Sequence, residues 1–164
     1  MNWGLEEMIM NISLQDRDLM LEVWRLQQMA YRLEAELIGF HDIPPLLDTI
    51  DSLQECGETF YGYINENMEL IGAIAVEQEW EGSLTISRMM VHPNHFRKGV
   101  AGKLIQHVLD HHSEVQKFIV STGMKNTPAV MLYQKYGFEP VQTCEIAPNV
   151  ELTTFHLNRM YDRS

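Results

Sequence analysis

Between Leu84 and Gly102 the chain reads LTISRMMVHPNHFRKGVAG, and no other stretch narrows the choice of fold as much. Leu84 to Val91 has strand composition, and Pro93-Asn94 stops it. An amphipathic helix follows, with Ala101, Leu104, Ile105, Val108 and Leu109 on one stripe and Lys103, Gln106, His107, Asp110 and His111 opposite. Lys117 to Ser121 is again a short apolar strand. Strand, helix and strand in this order make a crossover unit, and a crossover implies two parallel strands.

The turn between strand and helix has its own chemistry. The first N–H groups of a helix have no partner within it and lie at the positive end of its dipole. Arg97-Lys98-Gly99-Val100-Ala101-Gly102 therefore reads as an anion cradle with two cationic side chains beside it. The same residues would also suit an ordinary strand-to-helix turn with a basic flank. Two nucleotide cradles are excluded. No third glycine follows Gly99 and Gly102 to complete G-x-G-x-x-G, and Gly102-Lys103 is followed by Leu104 where a P-loop needs Ser or Thr.

The rest of the chain builds around this unit. Met8 to Ile12 predicts a short strand. Ser13-Leu14-Gln15-Asp16 opens a long helix with Leu19, Val23, Leu26, Ala30, Leu33 and Leu37 as its apolar stripe and Gly39 at its end. Ile43-Pro44-Pro45 turns into a second helix carrying Leu46, Leu47, Ile50 and Leu53 on one face. Phe60 to Ile64 and Glu69 to Glu77 are strands, which with Leu84 to Val91 predict an antiparallel meander. After the crossover, Thr127 is expected to cap a helix with Ala129, Leu132, Tyr133 and Tyr136 on one face. Phe138 to Ile146 and Val150 to Leu157 close the chain as a hairpin. No linker or repeat divides the 164 residues, so one domain is expected over 1–164.

Charge and cysteine usage bear on partners. A formal net charge of −11 argues against nucleic acid. A basic pocket in an acidic protein suits an anionic cofactor and a cationic co-substrate, although acidity serves solubility as well. Cys56 and Cys144 stand far apart and read as reduced thiols of a cytoplasmic protein. No apolar run reaches membrane length, and Met1 to Met10 carries Glu6 and Glu7 rather than a basic signal region. His107 and His111 lie four apart, and His92 and His95 flank the turn, but no Glu stands between them in H-E-x-x-H fashion and no metal is expected.

The stretch around Arg97 to Gly102 resembles motif A of the GNAT superfamily of N-acetyltransferases, Q/R-x-x-G-x-G/A. Gly99 and Ala101 fill the small positions, and Phe96 stands where Gln or Arg is usual. Leu132-Tyr133-Gln134-Lys135-Tyr136-Gly137-Phe138 resembles the family's L-Y-x-K-x-G-F signature, with Asn126 ahead of it. The order β-α-α-β-β-β-α-β-α-β-β is also that of the family. The resemblance covers the whole chain and implies a small, bacterial-type, single-domain member with an α/β fold on a mixed sheet.

What the resemblance implies for the site can be stated residue by residue. Acetyl-coenzyme A would place its pyrophosphate on Arg97, Lys98, Gly99, Val100, Ala101 and Gly102. Its pantetheine arm would pair with Met89, Met90 and Val91, where that strand leaves its parallel neighbour. The N–H of Met90 would stabilise the oxyanion. Tyr133, a phenol of ordinary pKa about 10, would act as general acid toward a thiol of about 8.5. Asn126 would contact the coenzyme. Residue by residue, Tyr133 also suits a core aromatic and Asn126 a residue that only starts a helix.

No general base is legible. Ser87 stands where many relatives carry Glu, and Glu34, Glu36, Glu77 and Glu79 are candidates through a water or ordinary surface charges. The expected activity is acetyl transfer to a primary amine by direct attack in a ternary complex. A non-catalytic acyl-coenzyme A sensor and a protein- or peptide-acetylating enzyme are the alternatives. The acceptor is a small-molecule or peptide amine, and a homodimer is among the assemblies open to such a chain.

Overall fold

The computed structural model describes residues 8–159; Glu6 and Glu7, the acidic residues that stand in place of a basic signal region, lie outside them. After β1 (Met8–Ile12), α1 (Arg17–Ile38) begins at Asp16, whose carboxylate accepts the N–H of Leu19 at 3.1 Å. Gly39 closes it at φ 73°, returning its N–H to the Ala35 carbonyl.

The buried face of α1 differs from the expected stripe. Met20, Val23, Leu26, Gln27, Tyr31, Ala35 and Ile38 point inward, while Leu33 and Leu37 are exposed. Alternating steps of four and three repeat every 3.5 residues on average, so a 3.6-residue helix drifts off such a line by about 20° per heptad. Over the 22 residues of α1 that drift accumulates, and Gln27 and Tyr31 take places on the inner face through hydrogen bonds that an apolar count overlooks.

The second helix is broken in two. A 3₁₀ turn at Pro44–Leu47 precedes a six-residue α2 (Ile50–Glu55), where one continuous helix was expected. The hydroxyl of Thr49 caps α2 by accepting the N–H of Ser52 at 3.0 Å, and the Asp48 carboxylate is drawn away to Arg88.

Strands β2 (Thr59–Ile64), β3 (Leu70–Glu77) and β4 (Ser83–Val91) form the expected antiparallel meander, with β1 added outside β2. From β4, α3 (Val100–His111) crosses to β5 (Lys117–Gly123), which runs parallel to β4. Then come α4 (Thr127–Lys135), β6 (Glu139–Ala147) and β7 (Val150–Asn158), and the sheet order is β1-β2-β3-β4-β5-β7-β6. Asn126, not Thr127, caps α4, its Oδ1 accepting the N–H of Ala129 at 3.3 Å.

Helices cover both faces of this sheet. On one face α3 and α4 pack Val100, Leu104, Ile105, Val108 and Tyr133 against Ile74, Ile86 and Phe118. On the other, α1 and α2 pack Leu26, Tyr31, Ile38 and Leu53 against Phe60, Ala73, Ala75 and Met90. Gly72 permits the close approach of α3, because a Cβ there would fall 2.7 Å from Val100 Cγ1. Among the described residues, no helix is long and apolar enough to cross a membrane.

The sheet parts at its parallel pair. β4 and β5 are paired only from Ser83↔Lys117 to Ile86↔Val120, although β4 continues with β3 to Val91 and β5 continues with β7 to Gly123. A bulge in β4 where it faces Ala75 and Val76 accompanies the separation. The outcome is a gap between two strands of a central sheet, with α1 on one side and α4 on the other.

Candidate active site

The chain leaves β4 through a 3₁₀ turn at Pro93–His95 and reaches α3 through two left-handed residues, Arg97 at φ 65° and Gly99 at φ 78°. The first hydrogen bond of α3 runs from Lys103 N–H to the Gly99 carbonyl at 3.0 Å. Among the described residues, the N–H groups from Lys98 to Gly102 have no partner. Arg97, Lys98 and Gly99 are exposed, and a Cβ on Gly99 would meet nothing within 4 Å. This is open, donor-rich backbone at the positive end of a helix. Gly102 serves differently. A Cβ there would fall 2.8 Å from the Tyr136 hydroxyl, which donates to the Gly102 carbonyl at 2.9 Å and ties α4 to α3.

Strand alternation decides which amides face the gap. The N–H of Met89 points away from β3 and is accepted by the Tyr31 hydroxyl at 3.0 Å. The N–H of His92 points the other way, to the Ile71 carbonyl of the β3 side at 2.7 Å. Between them Met90, paired with Ala73, turns its N–H toward β3, while Val91 turns its N–H toward the gap. The sequence had pointed to Met90 for this donor; the alternation of the strand directs Met89 and Val91 instead.

Tyr133 rises from α4 to the same gap. It is 3% exposed and packs against Phe138 and Phe155 at ring-centroid distances of 5.7 and 6.4 Å. Burial pushes its phenol well above the ordinary value, and neighbouring Tyr31 and Glu34 push it the same way. It therefore keeps its proton until a strong local base develops. Tyr31 is raised likewise, by burial first and then by Glu34.

Glu34 lies one turn after Tyr31 on α1. Its Oε1 accepts from Asn126 Nδ2 at 3.3 Å and from Thr122 Oγ1 at 3.5 Å. Burial raises its carboxyl above the ordinary value, and the bonds from Asn126 and Thr122 offset only part of that. Asn126 thus has two partners, the start of α4 through Oδ1 and Glu34 through Nδ2.

A cluster the sequence did not reveal lies on the α1 face of β4. Arg88 donates to Glu58 through Nε at 3.0 Å and Nη2 at 2.9 Å, and to Asp48 at 2.5 Å and Gln27 at 3.0 Å through Nη1. Ser87 also donates to Glu58. Burial works against ionisation of Asp48 and Glu58, but the bonds and charge of Arg88 outweigh it and hold both carboxyls below the ordinary range. The one signal in the sequence was a charged residue inside an apolar central strand, which requires a buried partner. Nothing local could name Glu58, 30 positions away.

Among the described residues, no three His, Cys, Asp or Glu side chains come together to hold a metal ion. His107 and His111 stack at 3.8 Å instead, beside Tyr61.

A mixed sheet parted at its one parallel pair, with a donor-rich helix start after the first of those strands, defines the acyl-coenzyme A N-acyltransferase fold. The chain belongs to the acetyltransferase (GNAT) family, whose model matches residues 20–138. It is 42% identical over 136 residues to the UPF0157 protein YqkA of Bacillus subtilis (strain 168), a match that covers 83% of this chain and 39% of that longer relative. The ribosomal-protein-S18-alanine N-acetyltransferase of Escherichia coli superposes with a TM-score of 0.72 at 16% identity, over 95% of this chain and 97% of that one. A proposed streptothricin acetyltransferase of Bacillus anthracis, solved with acetyl coenzyme A, superposes with a TM-score of 0.57 at 17% identity, over 63% of each chain. At these identities the superpositions speak for the fold.

Proposed function

We propose that this chain is an acetyl-coenzyme A-dependent N-acetyltransferase that transfers acetyl to a primary amine, of a small molecule or a peptide, by direct attack in a ternary complex. The observation that carries the reading is the parted β4–β5 pair, with the partnerless N–H groups of α3 downstream of β4 and Tyr133 facing the gap. The amides from Lys98 to Gly102, with the cations of Arg97 and Lys98, hold pyrophosphate. The open edge of β4 at Met89, Met90 and Val91 takes the amides of the pantetheine arm as an added strand would. When bound, the coenzyme supplies an activated acetyl thioester. The N–H of Val91, and that of Met89 once Tyr31 yields it, donate to the carbonyl oxygen as it gains negative charge.

Tyr133 gives its proton to the departing sulfur; burial keeps the phenol neutral and therefore proton-bearing, and also makes it a weaker acid than an ordinary tyrosine. Asn126 borders the opening as a further coenzyme contact. The free Cys56 and Cys144 fit a reducing, cytoplasmic compartment.

The second reading is an acyl-coenzyme A-binding module without catalysis. It is favoured by the fact that Asp48 and Glu58, the carboxylates bonded to β4, are both held by Arg88. Titration calorimetry with acetyl-coenzyme A and thiol release with a panel of amines separate the two. Binding with amine-dependent release is expected, binding without release gives the second reading, and absence of binding overturns both.

A further inference from the structure

We infer that Glu34 is the catalytic base of this site, taking a proton from a cationic acceptor amine lodged between α1 and the parted strands; the inference rests on the acetyltransferase reading above. Of the four carboxylates that the sequence offered, Glu36 and Glu79 are exposed on the surface. Glu77 pairs with Thr85, at the end of β3 remote from the Gly72↔Val91 pair that borders the gap. Glu58, which the fold adds, is committed to Arg88 and Ser87. Glu58 meets the parted end of β4 through Ser87 and Arg88 but is taken up by them, whereas Glu34 reaches Thr122, on the part of β5 that has left β4, and Asn126, at the start of α4, with no cation among the described residues bound to it.

The geometry of Glu34 is that of a fixed acceptor with a free oxygen. Both hydrogen bonds arrive at Oε1, so the carboxylate is oriented. Oε2 has no partner among the described residues and is not sealed from solvent. The groups that face it are Tyr31 from α1, Thr122 from β5, and Asn126 and Tyr133 from α4; Arg88 and Glu58 act beyond Tyr31. No Lys, Arg or His pairs with Glu34 among the described residues, in contrast to Asp48 and Glu58. A half-buried carboxylate without a cation is costly, and a substrate ammonium supplies the missing charge. Its raised carboxyl also moves toward the working pH of a general base.

The proton and bond changes balance. Oε2 of Glu34 takes one proton from the ammonium and leaves a nitrogen lone pair. That pair forms the C–N bond at the acetyl carbonyl carbon, and the C–S bond breaks with its electrons on sulfur. Tyr133 protonates the sulfur and recovers the proton that the nitrogen sheds as it becomes an amide. Glu34 releases its proton to solvent. One ammonium and one thioester thus yield one amide, one thiol and one proton.

The test compares the chain with Glu34→Gln, using acetyl-coenzyme A and a panel of alkyl monoamines, arylalkylamines, polyamines and short peptides. Wild type should release thiol with at least one amine and should lose rate as pH falls and Glu34 protonates. Glu34→Gln should be slower by about 10²- to 10⁴-fold at neutral pH, should lose that acid limb, and should bind the coenzyme as before. Its melting temperature should also gain on that of wild type as pH rises from acid to neutral, because it lacks the stability that ionisation of the raised Glu34 removes. An unchanged acid limb in Glu34→Gln overturns the base, including where the variant is merely less stable. Should the Glu34→Gln variant fail to fold, formate added to Glu34→Ala decides: recovery of rate supports the base, and its absence removes it. A wild-type chain that neither binds the coenzyme nor turns over an amine overturns the acetyltransferase reading itself, whereas turnover that is indifferent to Glu34 overturns the present inference alone.

Discussion

The hydroxyl of Tyr31 accepts the N–H of Met89 at 3.0 Å and so ties the middle of α1 to the free edge of β4. The donor it occupies is one of the two amides that the strand turns toward the gap. Tyr31→Phe should therefore act in two directions. Loss of the bond should cost about 1 kcal/mol of stability by denaturant titration. The freed amide should tighten coenzyme binding severalfold by calorimetry. A weaker affinity in a folded variant would show that pantetheine does not use Met89.

The two glycines of the α3 start should respond differently to substitution. Gly99→Glu places a side chain into open space where phosphate is expected, and should nearly abolish coenzyme binding while the left-handed backbone costs about 1–2 kcal/mol. Gly102→Ala drives a methyl against the Tyr136 hydroxyl, and should lower stability by about 1–3 kcal/mol with less effect on affinity. Equal affinities for Gly99→Glu and wild type would move the phosphates elsewhere. Arg97→Ala should weaken binding mildly and reduce its dependence on salt.

Tyr133→Phe removes one hydroxyl and keeps the ring against Phe138 and Phe155. If that hydroxyl protonates the leaving thiolate, turnover should fall by about 10²- to 10⁴-fold with little change in coenzyme affinity or melting temperature. Full turnover in the variant would assign the proton to water.

The Arg88 cluster predicts how stability depends on pH. Asp48 and Glu58 have folded carboxyls held below their ordinary values, so their contribution is present above the ordinary carboxylate range and is lost as pH falls through the depressed values. Glu34, raised by burial, works in the opposite sense: its contribution is complete below the ordinary Glu value and is lost as pH rises through the raised one. Arg88→Met leaves two carboxylates without their cation and should cost about 3–5 kcal/mol at neutral pH, with a smaller loss in acid, where they protonate. Thermal melts of both proteins across pH measure the difference.

The sequence alone determined the order of elements, the crossover from β4 through α3 to β5, and a helix opening at the Arg97–Gly102 run. Each of these depends on neighbours in the chain: the period of apolar residues, glycines that admit positive φ, and prolines that end strands. It also placed Tyr133 on α4 with Asn126 ahead of that helix, while the cap itself fell to Asn126 and not to Thr127. Tertiary structure decided the rest. Which face of α1 is buried depended on Tyr31 reaching Met89 and Gln27 reaching Arg88, partners 58 and 61 positions away. The break at Asp48 followed from a guanidinium 40 positions distant. Among Glu34, Glu36, Glu77 and Glu79, the one at the gap was set by where α1 crosses the parted strands. Local propensity has no range beyond a few residues, whereas a buried charge or hydroxyl finds its partner across the sheet, and only the packed chain fixes which one it meets.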